Sequence, residues 1–118
     1  MRRRRSHVIR PLEHPLVRFR LAALAAAQFF DLGTFDLMVR RHGLAAEANP
    51  IVAQGMADWG IALVVVGKLA LCLFVGSLVV LLAERRPARR MNLRLAAIVT
   101  VAAVLAGLVG GVSNVAAL

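Results

Sequence analysis

Two ionisable side chains stand inside long apolar stretches of this chain, Asp31 between Phe30 and Leu32 and Lys68 between Gly67 and Leu69. An unpaired charge in hydrocarbon costs at least about 2.5–3.5 kcal/mol, so each needs a partner. Two kinds of chemistry use such a pair: a buried salt bridge that fixes the register of two helices, or an exchangeable site for a proton, an ion or a polar ligand headgroup. Asp31 lies nine residues before Arg40, and Lys68 eight after Gly60. At 1.5 Å per residue, both then sit roughly 12–13 Å from the same boundary. Level charges of opposite sign on consecutive antiparallel helices are expected to face each other as a salt bridge. Leu24, Ala27, Gln28, Thr34, Phe35 and Met38 fall within about 60° of Asp31 on a helical wheel, so Gln28 and Thr34 are expected to hydrogen-bond around it. Asp36 points elsewhere, one turn from Arg40, where an i,i+4 pair near water accounts for it.

Catalysis finds little support. His7 and His14 precede the first apolar run and His42 follows it, so none is placed to activate Cys72, Ser77 or Ser113 as a nucleophile. Asp31 and Asp36 lie about 140° apart on one helix and cannot share a proton as a carboxylate dyad does. There is no metal-ligand spacing, no phosphate-binding glycine motif, and no histidine within an apolar run to ligate a tetrapyrrole. No catalytic residue, metal or cofactor is expected, and a bound lipid or pigment is not indicated. Cys72, the single cysteine, reads as a small packing residue.

The elements that must position the pair follow from composition. Of 118 residues, 60% are hydrophobic and 18% charged, with mean hydropathy +0.76, too apolar for a soluble domain of this size. Three runs are long enough to cross a bilayer: about 20–40, 60–83 and 95–118, joined by loops at 41–59 and 84–94. The expected fold is an all-α membrane protein, a single domain (20–118) of three transmembrane helices in a small antiparallel bundle. A basic tail (1–19) precedes it.

Arginine orients these spans. Seven of the fifteen basic residues precede the first span and five fill the second loop, but only Arg40 and Arg41 lie in the first. By the positive-inside rule the N-terminus and the 84–94 loop are cytoplasmic, and the 41–59 loop faces outward. Arg2, Arg3, Arg4 and Arg5, with Arg85, Arg86, Arg89 and Arg90, are candidates for contact with anionic phospholipids or a partner. No aromatic interleaving points to nucleic acid. The basic start leading into Ala25, Ala26 and Ala27 resembles a signal peptide, but the apolar stretch begins late and runs into Asp31 and Asp36, so a retained helix is expected.

The first loop contains His42-Gly43-Leu44-Ala45-Ala46-Glu47-Ala48-Asn49-Pro50. Gly43 is a helix stop, and Asn49 before Pro50 is a side-chain cap followed by proline at the first helical position. Val52, Met56 and Trp59 then fall at i, i+4 and i+7, which predicts a short amphipathic helix on the outer interface with Trp59 as its anchor. Gly60 would let the chain turn into the bilayer. The set of Asp31, Thr34, Gly43, Glu47-x-Asn49-Pro50 and Lys68 resembles a family of small bacterial integral membrane proteins known only as a domain of unknown function. The resemblance covers roughly 31–71 and implies a compact helical membrane protein with a polar cluster, without implying a reaction.

The third span carries a stripe of small residues, Ala103, Gly107 and Gly111 on one face and Ala106, Gly110 and Asn114 on the adjoining one. Such a stripe lets another helix approach closely, either within the chain or from a partner. The functional expectation is a non-catalytic structural or accessory subunit of a larger assembly in the bacterial inner (cytoplasmic) membrane. Other membrane protein subunits would be its partners, and respiratory and photosynthetic complexes are hosts suggested by size alone. The alternative is a small oligomeric transporter or channel whose proton or ion site is Asp31 with Lys68. The arginine count yields a direct expectation: a cysteine placed at Ala46 reacts with an impermeant thiol reagent in intact cells and one placed at Ala88 does not, and reversed labelling would overturn the orientation.

Overall fold

The structure is a computed structural model that describes residues 14–47, 49–84 and 89–118, Arg89 by its backbone alone. Among these residues the chain is helical throughout: α1 (Pro15–His42), a 3-10 turn (Leu44–Ala46), α2 (Pro50–Trp59), α3 (Ile61–Glu84) and α4 (Arg89–Ala116). Helices α1, α3 and α4 are long and apolar enough to cross a membrane; the 28 residues of α1 rise about 42 Å against about 30 Å of hydrocarbon. The protein is an all-α, multi-pass membrane protein.

Local chemistry sets the boundaries. Pro15 opens α1 and the His14 ring accepts a hydrogen bond from the Leu16 N–H at 3.3 Å, so the helix starts five residues before the apolar run. Helix α4 likewise begins at Arg89 and not at Leu95. The expected 84–94 loop is therefore shorter, with Arg90 and Arg94 on the helix itself. Hydropathy marks only the part of a helix that suits hydrocarbon, and helices continue into the polar margin where arginine heads reach water. Between α1 and α3, Gly43 and Gly60 take φ of +74° and +77°, which glycine adopts without strain. The Asn49 side chain caps α2, accepting from the N–H groups of Ile51 (3.0 Å) and Val52 (3.5 Å).

Helix α1 is the centre of the bundle, packed chiefly on α4 and also on α3. Its buried residues Val17, Leu24, Ala27, Asp31, Thr34, Phe35 and Met38 follow three- and four-residue spacings that make one stripe. Helix α3 buries only Val79 and turns Leu71, Leu73 and Phe74 outward, a burden in water but not among lipid tails. Helix α2 turns an apolar face toward the bundle, as its amphipathic spacing predicts. Its Met56 inserts beside Phe35 and Met38 of α1, with Val52 and Val64 packed against them. It thus caps the end of the bundle with its apolar face inward. Trp59 lies outside this cluster, 73% exposed.

The small residues of α4 are occupied within the chain. A Cβ on Gly107 would lie 2.9 Å from the carbonyl carbon and oxygen of Ala27, and one on Gly111 would run into the Phe30 ring. Of the alternatives open in the sequence, the contact with the protein's own α1 takes these glycines, while Ala106 stays exposed. Backbone cannot yield to a new methyl group as a half-exposed ring can. Gly107→Ala is therefore expected to destabilise the bundle by about 1–3 kcal/mol and Gly111→Ala by less, read from unfolding in mixed detergent. Equal losses would contradict the close α1–α4 approach at Gly107.

Candidate functional site

The site is built around one carboxylate. Asp31, on the buried stripe of α1 and 8% exposed, accepts from the Lys68 ammonium of α3 through Oδ2. Through Oδ1 it accepts from the Asn114 amide of α4 at 3.1 Å, and that amide also lies 3.2 Å from the Asp31 backbone carbonyl. All three spans thus meet on Asp31. Gly110, one turn before Asn114, makes room for the carboxylate, since a Cβ there would lie 2.5 Å from Oδ1. The Lys68 ammonium also stands over the Phe35 ring, 5.5 Å from its centre, within cation–π range. Among the described residues no buried side-chain nitrogen or oxygen lacks a hydrogen-bond partner.

Of the two residues expected to hydrogen-bond around the carboxylate, Thr34 stays in the cluster, accepting from the Asn114 amide at 3.4 Å, and Gln28 serves elsewhere. Gln28 does not reach it but donates to the Ala103 carbonyl of α4 at 2.9 Å, because its position on α1 turns it toward the α1–α4 seam. The Thr34 hydroxyl donates to backbone, at 2.8 Å from the Phe30 carbonyl and 3.1 Å from that of Asp31, as threonine in a helix commonly does. Asp36 pairs with Arg40 at 2.8 Å on the surface, as its spacing implies. Pro50 opens α2 and Trp59 ends it. Arg90 is exposed; Arg2, Arg3, Arg4, Arg5, Arg85, Arg86 and the Arg89 side chain lie outside the described residues.

The loop motif joins the site from above. Glu47 Oε1 accepts from the Asn49 N–H at 2.7 Å, folding the chain so that Asn49 can cap α2. Glu47, Asn49, Asp31, Lys68, Phe35 and Asn114 together line one pocket of about 400 Å³. Sequence separation had kept three features apart: the intramembrane pair, the Glu-x-Asn-Pro loop and the polar end of the α4 stripe. The chain brings them to a single cavity at the α2 end of the bundle.

A family model described as a domain of unknown function, DUF5658, matches residues 22–115. The chain belongs to the DUF5658 family. The matched region runs past the 31–71 segment that carries the resemblance in sequence and takes in Gln28 at one end and Asn114 at the other. Neither curated proteins nor solved structures provide a match.

In this DUF5658 chain sequence reasoning places Asn114 on the α4 stripe, where it can hydrogen-bond across a helix contact, but does not name Asp31 as its partner. No charged residue bounds the far end of its span, so its depth could not be matched to that of Asp31. Its chemistry was nonetheless a signal, because a carboxylate has two oxygens and one lysine occupies only one of them. Replacing Asn114 with Leu strips a donor from the buried pair and is expected to cost about 1–3 kcal/mol. Gln28→Leu removes only a bond to a carbonyl within a continuous helix, expected to cost nearer 0.6 kcal/mol, the average for side-chain hydrogen bonds in a membrane protein. Equal losses in a denaturation series would detach Asn114 from the ion pair.

Proposed function

We propose that this chain is a non-catalytic structural or accessory subunit of a larger membrane assembly. The observation that carries this reading is that Asp31 accepts from Lys68 of α3 and from Asn114 of α4, so the intramembrane charge is spent on tying the spans together. A buried pair used in this way adds specificity of register more than net stability. The outward apolar flank of α3 supplies surface for helices of other membrane subunits. Arginines at the end of the bundle opposite α2, such as Arg90 and Arg94, suit anionic phospholipids. With the arginine count, these features support a place in the bacterial inner membrane with the N-terminus in the cytoplasm.

The pocket beside the pair favours a second reading, a small oligomeric transporter or channel in which Asp31 and Lys68 exchange partners with a proton or an ion. A double-mutant cycle separates the two. Removing one member of a buried pair costs about 3–5 kcal/mol in soluble proteins, and less where lysine can snorkel. Asp31→Asn and Lys68→Met are each expected to destabilise the bundle and lose co-purifying partners, and the double variant to recover most of both. Simple addition of the two losses would remove the clamp. A closed ring of identical chains whose ion flux in liposomes disappears in a well-folded double variant would establish the transport reading instead.

A further inference from the structure

The pocket holds more hydrogen-bonding capacity than the clamp consumes. An ammonium has three N–H groups, and Lys68 gives one to Asp31. Glu47 gives one oxygen to the Asn49 N–H, which leaves the other. The cation lies on α3 beside the buried stripe of α1, whereas Glu47 lies in the loop at the α2 end. Both line the same cavity, which therefore has unspent donors on its α3 side and an unspent carboxylate oxygen on the side of the loop before α2. The volume of about 400 Å³ is at the small end of ligand pockets, which run to about 1,000 Å³.

We infer that this pocket binds a small zwitterion, its oxyanion on Lys68 and its ammonium on Glu47. A simple anion entering the cavity meets the carboxylates of Asp31 and Glu47, and a simple cation meets Lys68. A ligand carrying both signs satisfies both ends at once, leaving the Asp31–Lys68 bond in place. The order of the groups is fixed by the fold, oxyanion toward the middle of the bundle and ammonium toward the α2 end. Ser113, on the cavity wall, adds a hydroxyl that can donate or accept. An ethanolamine phospholipid presents these groups in this order, phosphate nearer the hydrocarbon and amine nearer water. Free phosphoethanolamine or a free amino acid presents the same two groups. This assignment shares Lys68 with the clamp but uses its other N–H groups, and it is tested at Glu47 and Ser113, which the clamp does not use.

The test uses the full chain in phosphatidylglycerol nanodiscs, titrated with phosphoethanolamine and glycine, and with ethanolamine and inorganic phosphate as the two halves, read by ligand-observed NMR. A zwitterion is expected to bind at least about tenfold more tightly than either half, since each end contributes a charge-assisted hydrogen bond. Glu47→Gln keeps an oxygen for the Asn49 N–H and loses the charge, so it is expected to weaken the zwitterion about tenfold with the unfolding temperature unchanged. Ser113→Leu narrows the cavity and is expected to reduce binding as well. A parallel series in mixed nanodiscs, analysed by native mass spectrometry, identifies the source: selective retention of phosphatidylethanolamine without solute binding marks a lipid headgroup, and solute binding marks a soluble ligand. The inference is overturned if ethanolamine or phosphate alone binds as well as the zwitterion, if neither solute nor lipid binds, or if both variants bind like the wild type.

Discussion

The free-energy cost of a carboxylate inside hydrocarbon constrains everything else in this protein. Asp31 cannot be tolerated at its depth without donors, and the chain supplies them from the two other spans. The Lys68 ammonium fixes α3 against α1, and the Asn114 amide fixes α4. The glycines of α4 serve the same end. Gly110 lets the Asp31 carboxylate stand against the helix, and Gly107 lets the α1 backbone close on it. Apolar packing among lipid tails is weakly selective, so a bundle with so plain an α3 needs a polar contact to choose one register among several.

Much of this was legible in the sequence. The face of α1 read from the position of Asp31 predicts Leu24, Ala27, Gln28, Thr34, Phe35 and Met38 on one side; all but Gln28 are buried, and Gln28 is half-buried. The caps at Asn49 and Pro50 and the turns at Gly43 and Gly60 follow from residue type. The partner of that face was harder to see. Sequence adjacency suggests α3, yet α1 packs mainly on α4; the small-residue stripe of α4 marks a helix contact without saying which helix fills it. Helix ends differ from the apolar runs for a related reason: hydropathy follows the solvent preference of side chains, while Pro15 starts α1 by backbone geometry and α4 starts at Arg89, ahead of its apolar run.

The short helix α2 shows how a loop motif acquires a second meaning. From its spacing it reads as an amphipathic helix, and Met56 seats that apolar face on the bundle end beside Phe35 and Met38. Once it is seated there, the Glu47–Asn49 turn that leads into it overhangs the ion pair, and a local folding signal becomes a wall of a cavity. No pairwise spacing in the sequence encodes that overhang. It depends on the buried methionine as much as on the polar residues.

The order in which the donors are made has its own consequence. Lys68 follows Asp31 by 37 residues and Asn114 by 83. At a synthesis rate of roughly 5–20 residues per second, the last donor emerges on the order of 4–17 s after the carboxylate it serves. Lys68 follows after roughly 2–7 s, so the carboxylate gains its counter-charge well before its second donor. The first of the three spans to be made is thus the last to have its polar contacts completed, when α4 brings Asn114 to Asp31.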